Sequence, residues 1–274
     1  MKVMMITGAG ISVGSGIDTY RGKEGRYTAL ERELNMSMDQ LLNPTMLAEK
    51  PELVWKYWLE FALAVKDKQP APAHHAIKAI ADQCEEFLEV TQNVDGLSVR
   101  SGLTKAQLIE LHGAARDYYC TSCGLTHGLS ITPDLAIPPR CYRCYPDEGA
   151  VIRPDIVMFN ENIKADYFDR AEKFAAKADL LIVAGTSMQF PYLAYFLRVA
   201  ADAGAILVYL DPEARLSASM FSHSSHKVPL HERIFCIRRT ADEVLPLMAN
   251  DMNGYLEEMR EMRASGITGE IYQD

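Results

Sequence analysis

Short apolar runs recur along this chain, each followed by a polar or glycine-bearing reversal and then by a longer stretch with helical spacing. The runs read as buried strands. The first opens right after Met1, and others fall at 87–91, 107–111, 155–159, 179–184, 205–210 and 234–237. Helical patterns cover 51–65, with Pro51 in the first turn, then about 74–84, 165–177, 191–203, a stretch from Ala241, and a charged stretch at 253–263. Residues 23–50 are polar and irregular and read as a loop with short helices. Residues 114–152 show little regular apolar pattern. Strands alternating with helices imply right-handed crossovers and a parallel sheet.

The reversal after the first strand is Gly8-Ala9-Gly10-Ile11-Ser12. Glycine lets the backbone turn sharply and approach a ligand closely. Ser12 is expected to cap a following helix whose N-terminal N–H groups would take a phosphate. Such a turn serves a pyrophosphate site or plain chain reversal about equally well. The continuation Ser15-Gly16-Ile17-Asp18-Thr19-Tyr20-Arg21-Gly22 adds an aromatic ring and a cation that a plain turn does not need. The other polar clusters also follow strands: Gln92-Asn93-Val94-Asp95, His112-Gly113 and Gly185-Thr186-Ser187. Ligands of open parallel sheets bind at that rim.

Length and charge narrow the class. The 274 residues suit one large α/β domain or one domain with an insertion. A net charge of −9 argues against nonspecific binding of nucleic acid or anionic lipid. No apolar run reaches membrane-spanning length and no export signal is evident, so the expected compartment is the cytoplasm.

Four of the six cysteines form two pairs, Cys120-x-x-Cys123 and Cys141-x-x-Cys144. In a chain without an export signal this spacing points to a structural zinc site rather than to disulfides. Redox-active or free thiols are the other reading. A closed four-thiolate site has no open position, so no catalytic role falls to zinc. Cys84 and Cys236 read as buried. His112 suits general-base work near neutral pH, whereas His74, His75, His127, His223, His226 and His231 lack ligand spacing and read as surface or structural.

Taken together, the stretch 8–22, the Thr91-Gln92-Asn93-Val94-Asp95-Gly96-Leu97 segment, Leu111-His112-Gly113 and the cysteine quartet resemble the sirtuins, NAD-dependent protein deacylases. Gly185-Thr186-Ser187 resembles that family's second nucleotide segment, Tyr209-Leu210-Asp211 its ribose-contacting segment, and Ala241 its adenine-side loop. Arg153 to Glu161 resembles the segment that pairs with substrate peptide as an added strand. The chain has Tyr20 where the family has Phe, Ser98 where many members have His, Asn160 for Gly, Tyr209 for Asn, and Arg239 for Gly.

The resemblance implies a doubly wound, parallel Rossmann-like α/β fold with a smaller inserted part made of a helical module and a four-cysteine zinc module. The expected boundaries are 1–29, 74–112 and 153–274 for the NAD-binding domain, 30–73 for the helical insertion and 113–152 for the zinc insertion. It implies a protein lysine deacylase that consumes NAD and moves the acyl group to ADP-ribose. Two alternatives stay open at this point: an ADP-ribosyltransferase or NAD glycohydrolase, and a non-catalytic NAD-binding module. His112 and Asn93 are the implied catalytic residues. Gly8, Ala9, Gly10, Ser12, Ile17, Tyr20, Arg21, Gln92, Asp95, Gly185, Thr186, Ser187, Tyr209, Leu210, Asp211 and Ala241, with Asn93, would hold NAD. Val157, Met158, Phe159 and Asn160 would hold an acyl-lysine peptide. Family members that take acidic acyl groups carry Tyr-x-x-Arg on the inserted helix. Here Trp58 and Phe61 stand at those positions, which favours uncharged acyl groups over succinyl.

Overall fold

The structure, a computed structural model, describes residues 1–19, 33–144, 150–213, 234–266 and 269–271. Tyr20, Arg21, His223, His226 and His231 lie outside the described residues.

The first run forms β1 (Lys2–Thr7), the centre of a parallel sheet. On one side of it lie β2 (Glu86–Thr91) and β3 (Leu108–Glu110). On the other side lie β7 (Leu180–Ala184), β8 (Ile206–Leu210), β9 (Ile234–Ile237) and β10 (Gly269–Ile271). The order β10-β9-β8-β7-β1-β2-β3 makes the chain reverse its winding direction beside β1. The crevice at the carboxyl ends of β1 and β7 is therefore the topological switch point, where such sheets take their ligands.

Both sheet faces are covered, which explains the near-continuous apolar strands. On one face, α4 (Pro72–Gln83), α8 (Ala241–Asn250) and α9 (Met252–Ala264) bury Ile77, Ile80, Leu245 and Met248 against Val3, Met5, Ile182 and Val208. On the other, α6 (Ala165–Ala175) and α7 (Pro191–Asp202) bury Phe196, Leu197 and Ala171 against Met4, Ile6, Leu181 and Val183.

The polar segment after residue 33 holds α1 (Met38–Leu41), α2 (Pro44–Glu49) and the long α3 (Pro51–Val65). A short α5 (Leu97–Arg100), which the sequence pattern did not reveal, follows Asp95. The stretch that looked irregular contains a three-stranded antiparallel sheet instead: β4 (Gly113–Cys120), β5 (Thr126–His127) and β6 (Ile152–Ile156). Its apolar side packs on α3. Trp55 stacks on Tyr118 with ring centroids 5.9 Å apart, and its indole N–H donates to the Ile152 carbonyl at 2.8 Å. Trp55, Trp58 and Phe61 share one core with Tyr118, Cys120, Cys141 and Ile152.

This sheet corrects the expected strand at 155–159. The strand ends at Ile156, and residues 157–160 leave it as a loop in which Asn160 takes a left-handed backbone at φ +69°. Asparagine is among the few side-chain-bearing residues that enter that region readily, so it stands in here for the family's glycine. Arg153 fixes the loop. It is buried, makes two parallel bonds to Glu161 at 2.6 and 2.8 Å, and donates to the Ile156 carbonyl at 2.8 Å. Glu161 in turn accepts from the Met158 amide at 2.8 Å.

At the switch point the β1 and β7 reversals touch. Gly8 N–H donates to the Ala184 carbonyl at 3.1 Å and Gly10 N–H to the Gly185 carbonyl at 2.8 Å. A Cβ on Gly185 would lie 2.6 Å from the Ile11 nitrogen, and its φ is +62°. Gly185→Ala should therefore lower unfolding free energy by at least about 2 kcal/mol, combining backbone strain with overpacking. Urea denaturation of the two proteins measures it, and an unchanged midpoint would contradict the close contact.

Candidate functional site

A cavity of about 1200 Å³ opens at the switch point. Its walls come from every reversal that the sequence singled out. Ala9 and Gly10 follow β1, Gln92 and Asn93 follow β2, and His112 follows β3. Gly185, Thr186 and Ser187 follow β7, Tyr209, Leu210 and Asp211 come from β8 and its end, and Ala241 begins α8. Trp58 and Phe61 of α3 and the loop residues Val157, Met158, Phe159 and Asn160 close the far side. Gly8, Ser12 and Asp95 are buried and stand one layer behind the lining residues, and Ile17 packs against the core under α3.

Ser12 does not cap a helix. Residues Ala9–Ser15 form a 3₁₀ helix whose cap position is Gly8, and Ser12 sits inside it. Its hydroxyl is needed elsewhere: it donates to Asp95 Oδ2 at 2.8 Å and accepts from the Asn93 amide at 3.2 Å. The Asn93 amide also donates to the Gly8 carbonyl at 3.0 Å. Burial pushes the Asp95 carboxyl above its ordinary range, against the bonds from the Leu97 amide and Ser12. The polar chain Asp95–Ser12–Asn93 thus ties the β2 reversal to the β1 reversal from behind.

Gln92 does the same from the front. Its side-chain amide donates to the Thr7 carbonyl at 3.1 Å and to Thr186 Oγ1 at 3.0 Å. Its backbone carbonyl lies 3.0 Å from His112 Nδ1. A carbonyl only accepts, so Nδ1 carries the hydrogen and the neutral ring leaves its lone pair on Nε2. Burial holds the imidazole down at about 4, opposed by the bond to Gln92. His112 is therefore an uncharged acceptor at neutral pH.

Residues that the sequence reading missed also face this ring. Tyr192, at the start of α7, places its hydroxyl 2.6 Å from His112 Nε2, and Phe190 meets the imidazole edge-on with centroids 5.5 Å apart. Their signal was their place directly after the Gly185-Thr186-Ser187 rim, flanking Pro191 at a helix start. Tyr209 donates to the Thr186 carbonyl at 2.9 Å, so it braces the β7 reversal as well as lining the cavity. Asp242 anchors the opposite rim by accepting from the Ala73 amide at 2.8 Å.

The four paired cysteines converge. Cys120, Cys123, Cys141 and Cys144 place their sulfurs within 4.8 Å of one another. That donor set at that spacing fits a tetrahedral zinc with no open position. Cys120, Cys141 and Cys144 pack into the core shared with α3, Cys123 is exposed, and none of the four lines the cavity. Of the other two cysteines, Cys236 is buried, but Cys84 is only half-buried and donates to the Ile80 carbonyl, so the expected full burial fails there. His74 is buried and structural: its Nδ1 accepts from the Ala71 amide at 3.1 Å. Among the described residues no helix is long and apolar enough to cross a membrane.

Known proteins match this arrangement. A model described as the Sir2 family matches residues 8–191. An NAD-dependent protein deacylase of Thermus thermophilus is 37% identical over 216 residues, spanning 77% of this chain and 80% of its own length. An NAD-dependent protein deacylase of Pyrococcus abyssi is 32% identical over 264 residues, spanning 93% and 95%. Among solved structures, a Sir2 homolog–NAD complex superimposes with a TM-score of 0.75 at 29% identity, covering 93% of this chain and 90% of that one.

Behind the site, Glu89 on β2 is fully buried. Thr7 donates to its Oε1 at 2.7 Å, and the nearby Ser98 hydroxyl assists weakly. Burial raises this carboxyl to about 7, against an ordinary 4.5. The unfolded chain then releases the proton first as pH rises. The penalty is absent below about pH 4.5, grows between there and 7, and is complete above. Glu89→Gln should raise unfolding free energy at pH 8 by about 2–3 kcal/mol and leave it nearly unchanged at pH 4. Urea melts at the two pH values decide it, and an equal effect at both would refute the assignment.

Proposed function

This chain belongs to the Sir2 family, and from that membership we propose how its own residues carry out NAD-dependent protein deacylation. NAD brings a glycosidic bond that releases nicotinamide and a ribose that takes over the acyl group. The protein's part is to bind, to orient and to move one proton.

The fit to NAD rests on the meeting of the β1 and β7 reversals. Gly8 and Gly10 approach Gly185 so closely that no side chain intervenes, and the main chain of 8–10 with Thr186 and Ser187 forms the pyrophosphate rim. Leu210, Asp211 and Ala241 flank the adenosine end, with Tyr209 bracing Thr186 there. Asn93 orients the ribose and the hydrolytic water. Gln92 fixes the His112 ring. Asp95 acts through Ser12, and Ile17 packs against the core under α3 at the edge of the site.

His112 is the base. The observation that carries this reading is its fixed tautomer: Nδ1–H is bound to a carbonyl, which leaves the lone pair on Nε2 of a ring that lines the cavity. The ring accepts a ribose proton at Nε2 once the acyl-lysine is engaged. Residues 157–160 take the substrate peptide along their backbone, and Trp58 and Phe61 receive the acyl group. The cysteine quartet holds zinc as a structural element of the wall beneath α3. Segments 30–73 and 113–152 act together as the substrate-facing part of the molecule. Thiols kept reduced for a metal suit the cytoplasm.

The acyl pocket is apolar. Trp58 and Phe61 are nearly buried, with ring centroids 5.4 Å apart. Among the described lining residues there is no lysine or arginine, whereas Asp18, Glu161, Asp211, Glu213 and Asp242 are all acidic. A succinyl carboxylate would be desolvated with no cation to meet it. Acetyl-peptide turnover should exceed succinyl-peptide turnover by at least about 100-fold in kcat/KM, which is roughly 3 kcal/mol. A preference for succinyl would overturn the pocket assignment.

Mass spectrometry of products formed from NAD and acetylated peptide tests the reaction itself. Free lysine, nicotinamide and acylated ADP-ribose are expected in equal amounts. His112→Ala should lower deacylation by about 10²–10⁴-fold. Because His112 is held at about 4, the acid limb of kcat/KM should fall well below the ordinary imidazole value near 6.5. NAD cleavage without peptide deacylation would refute the proposal.

A further inference from the structure

The base at this site does not stand open to the cavity. His112 Nε2, the atom that must take up the proton, is already in contact with the Tyr192 hydroxyl at 2.6 Å. Nδ1 carries the ring's hydrogen because it faces a carbonyl, so the direction of the second bond follows: Tyr192 donates and Nε2 accepts. The phenol is held in that position. Its ring stacks on Phe190 with centroids 5.4 Å apart and planes 10° apart, meets the imidazole edge-on, and packs on Phe196 at 6.4 Å. The backbone leaves it little freedom, since it follows Pro191 in the first turn of α7. Tyr192 also lines the cavity beside Thr186 and Asn93.

We propose that Tyr192 is a catalytic residue, a relay that stands between the ribose hydroxyl and His112. A phenol that donates to Nε2 keeps its oxygen lone pairs free to accept, and those are the acceptor next to the bound ribose. Tyr192 Oη accepts the ribose proton as it passes its own proton to His112 Nε2. Tyr192 ends neutral and His112 ends as imidazolium. The ribose oxygen keeps its electron pair and forms the bond to the acyl carbon, whose bond to the lysine nitrogen breaks as that nitrogen takes up the proton that the His112 imidazolium gives back. No electrons leave the system, and the one further reactant is the water of the overall deacylation, which adds to the acyl carbon and completes the ester. Burial pushes the Tyr192 phenol above its ordinary value, so the group passes a proton on and does not retain the negative charge. The relay rests on the reading of His112 as the base in this deacylase.

The test uses the whole protein and its Tyr192→Phe variant, which removes one oxygen and keeps the ring stack. The first readout needs no cofactor. In protein labelled with nitrogen-15 in histidine, the Nε2 resonance of His112, assigned with His112→Gln, should move away from its hydrogen-bonded position in Tyr192→Phe. An unmoved resonance means that the bond does not exist in solution and overturns the relay. The second readout is kinetic. Nicotinamide exchange precedes the proton transfer and deacylation follows it, so the ratio of exchange to deacylation should rise about 10- to 100-fold in the variant. Deacylation in mixed light and heavy water should show a two-proton dependence in the wild type and a one-proton dependence in the variant. A Tyr192→Phe enzyme that deacylates as fast as the wild type, or faster, would reduce the tyrosine to a cap on the lone pair and sink the relay alone. Wild-type protein that exchanges no nicotinamide in the presence of NAD and acetylated peptide would sink the deacylase reading beneath it.

Discussion

Two stretches of backbone meet with nothing between them, and the site depends on that contact. The reversals after β1 and β7 approach until the Gly10 amide binds the Gly185 carbonyl. Any side chain at Gly8, Gly10 or Gly185 would collide with main chain. The sheet supplies the reason they meet. Winding reverses beside β1, so crossovers diverge to both sides and leave an uncovered crevice over the central strands. Each further reversal then opens onto the same rim, and polar residues spread over most of the chain converge there.

Convergence alone would leave buried polar atoms unsatisfied, which is costly. The molecule solves this by making the polar groups hold one another. Asp95, Ser12 and Asn93 form one chain of bonds, and Thr7, Gln92 and Thr186 form another. Both run between strands and so fix their relative positions. The same burial that demands these partners keeps His112 uncharged and pushes the Asp95 carboxyl upward. Structural bracing and proton chemistry are therefore two results of a single desolvation.

Much of this was readable from residue order, and the failures have physical causes. The parallel strands and most helices showed as apolar runs with boundaries off by two residues at most, because their burial on both faces leaves a strong pattern. The small antiparallel sheet did not show, since Gly113–Cys120 mixes Arg116, Asp117 and two tyrosines and is held by one face and by the cysteine knuckles. The strand expected at 155–159 was shifted because Val157, Met158 and Phe159 are apolar for lining a cavity, and periodicity cannot tell that from a sheet interior. Ser12 looked like a helix cap from its position. Only the placement of Asp95 and Asn93, some eighty residues away, shows its hydroxyl to be taken. Tyr192 carries no motif at all: its role comes from packing on Phe190 across the histidine.

Helix α3 and the cysteine knuckles, through Cys120, Cys141 and Cys144, share one interior that includes the stack of Trp55 over Tyr118. The helical wall of the cavity and the small antiparallel sheet are thus a single mechanical piece. A change at Trp58 or Phe61, which line the cavity, disturbs the packing they share with Cys120 and Cys141, while the rim at Gly8, Gly10 and Gly185 is anchored to different strands. Diversification of such a scaffold is therefore open only along changes that keep this interior filled, so the cavity wall at Trp58 and Phe61 is inherited together with the cysteine knuckles.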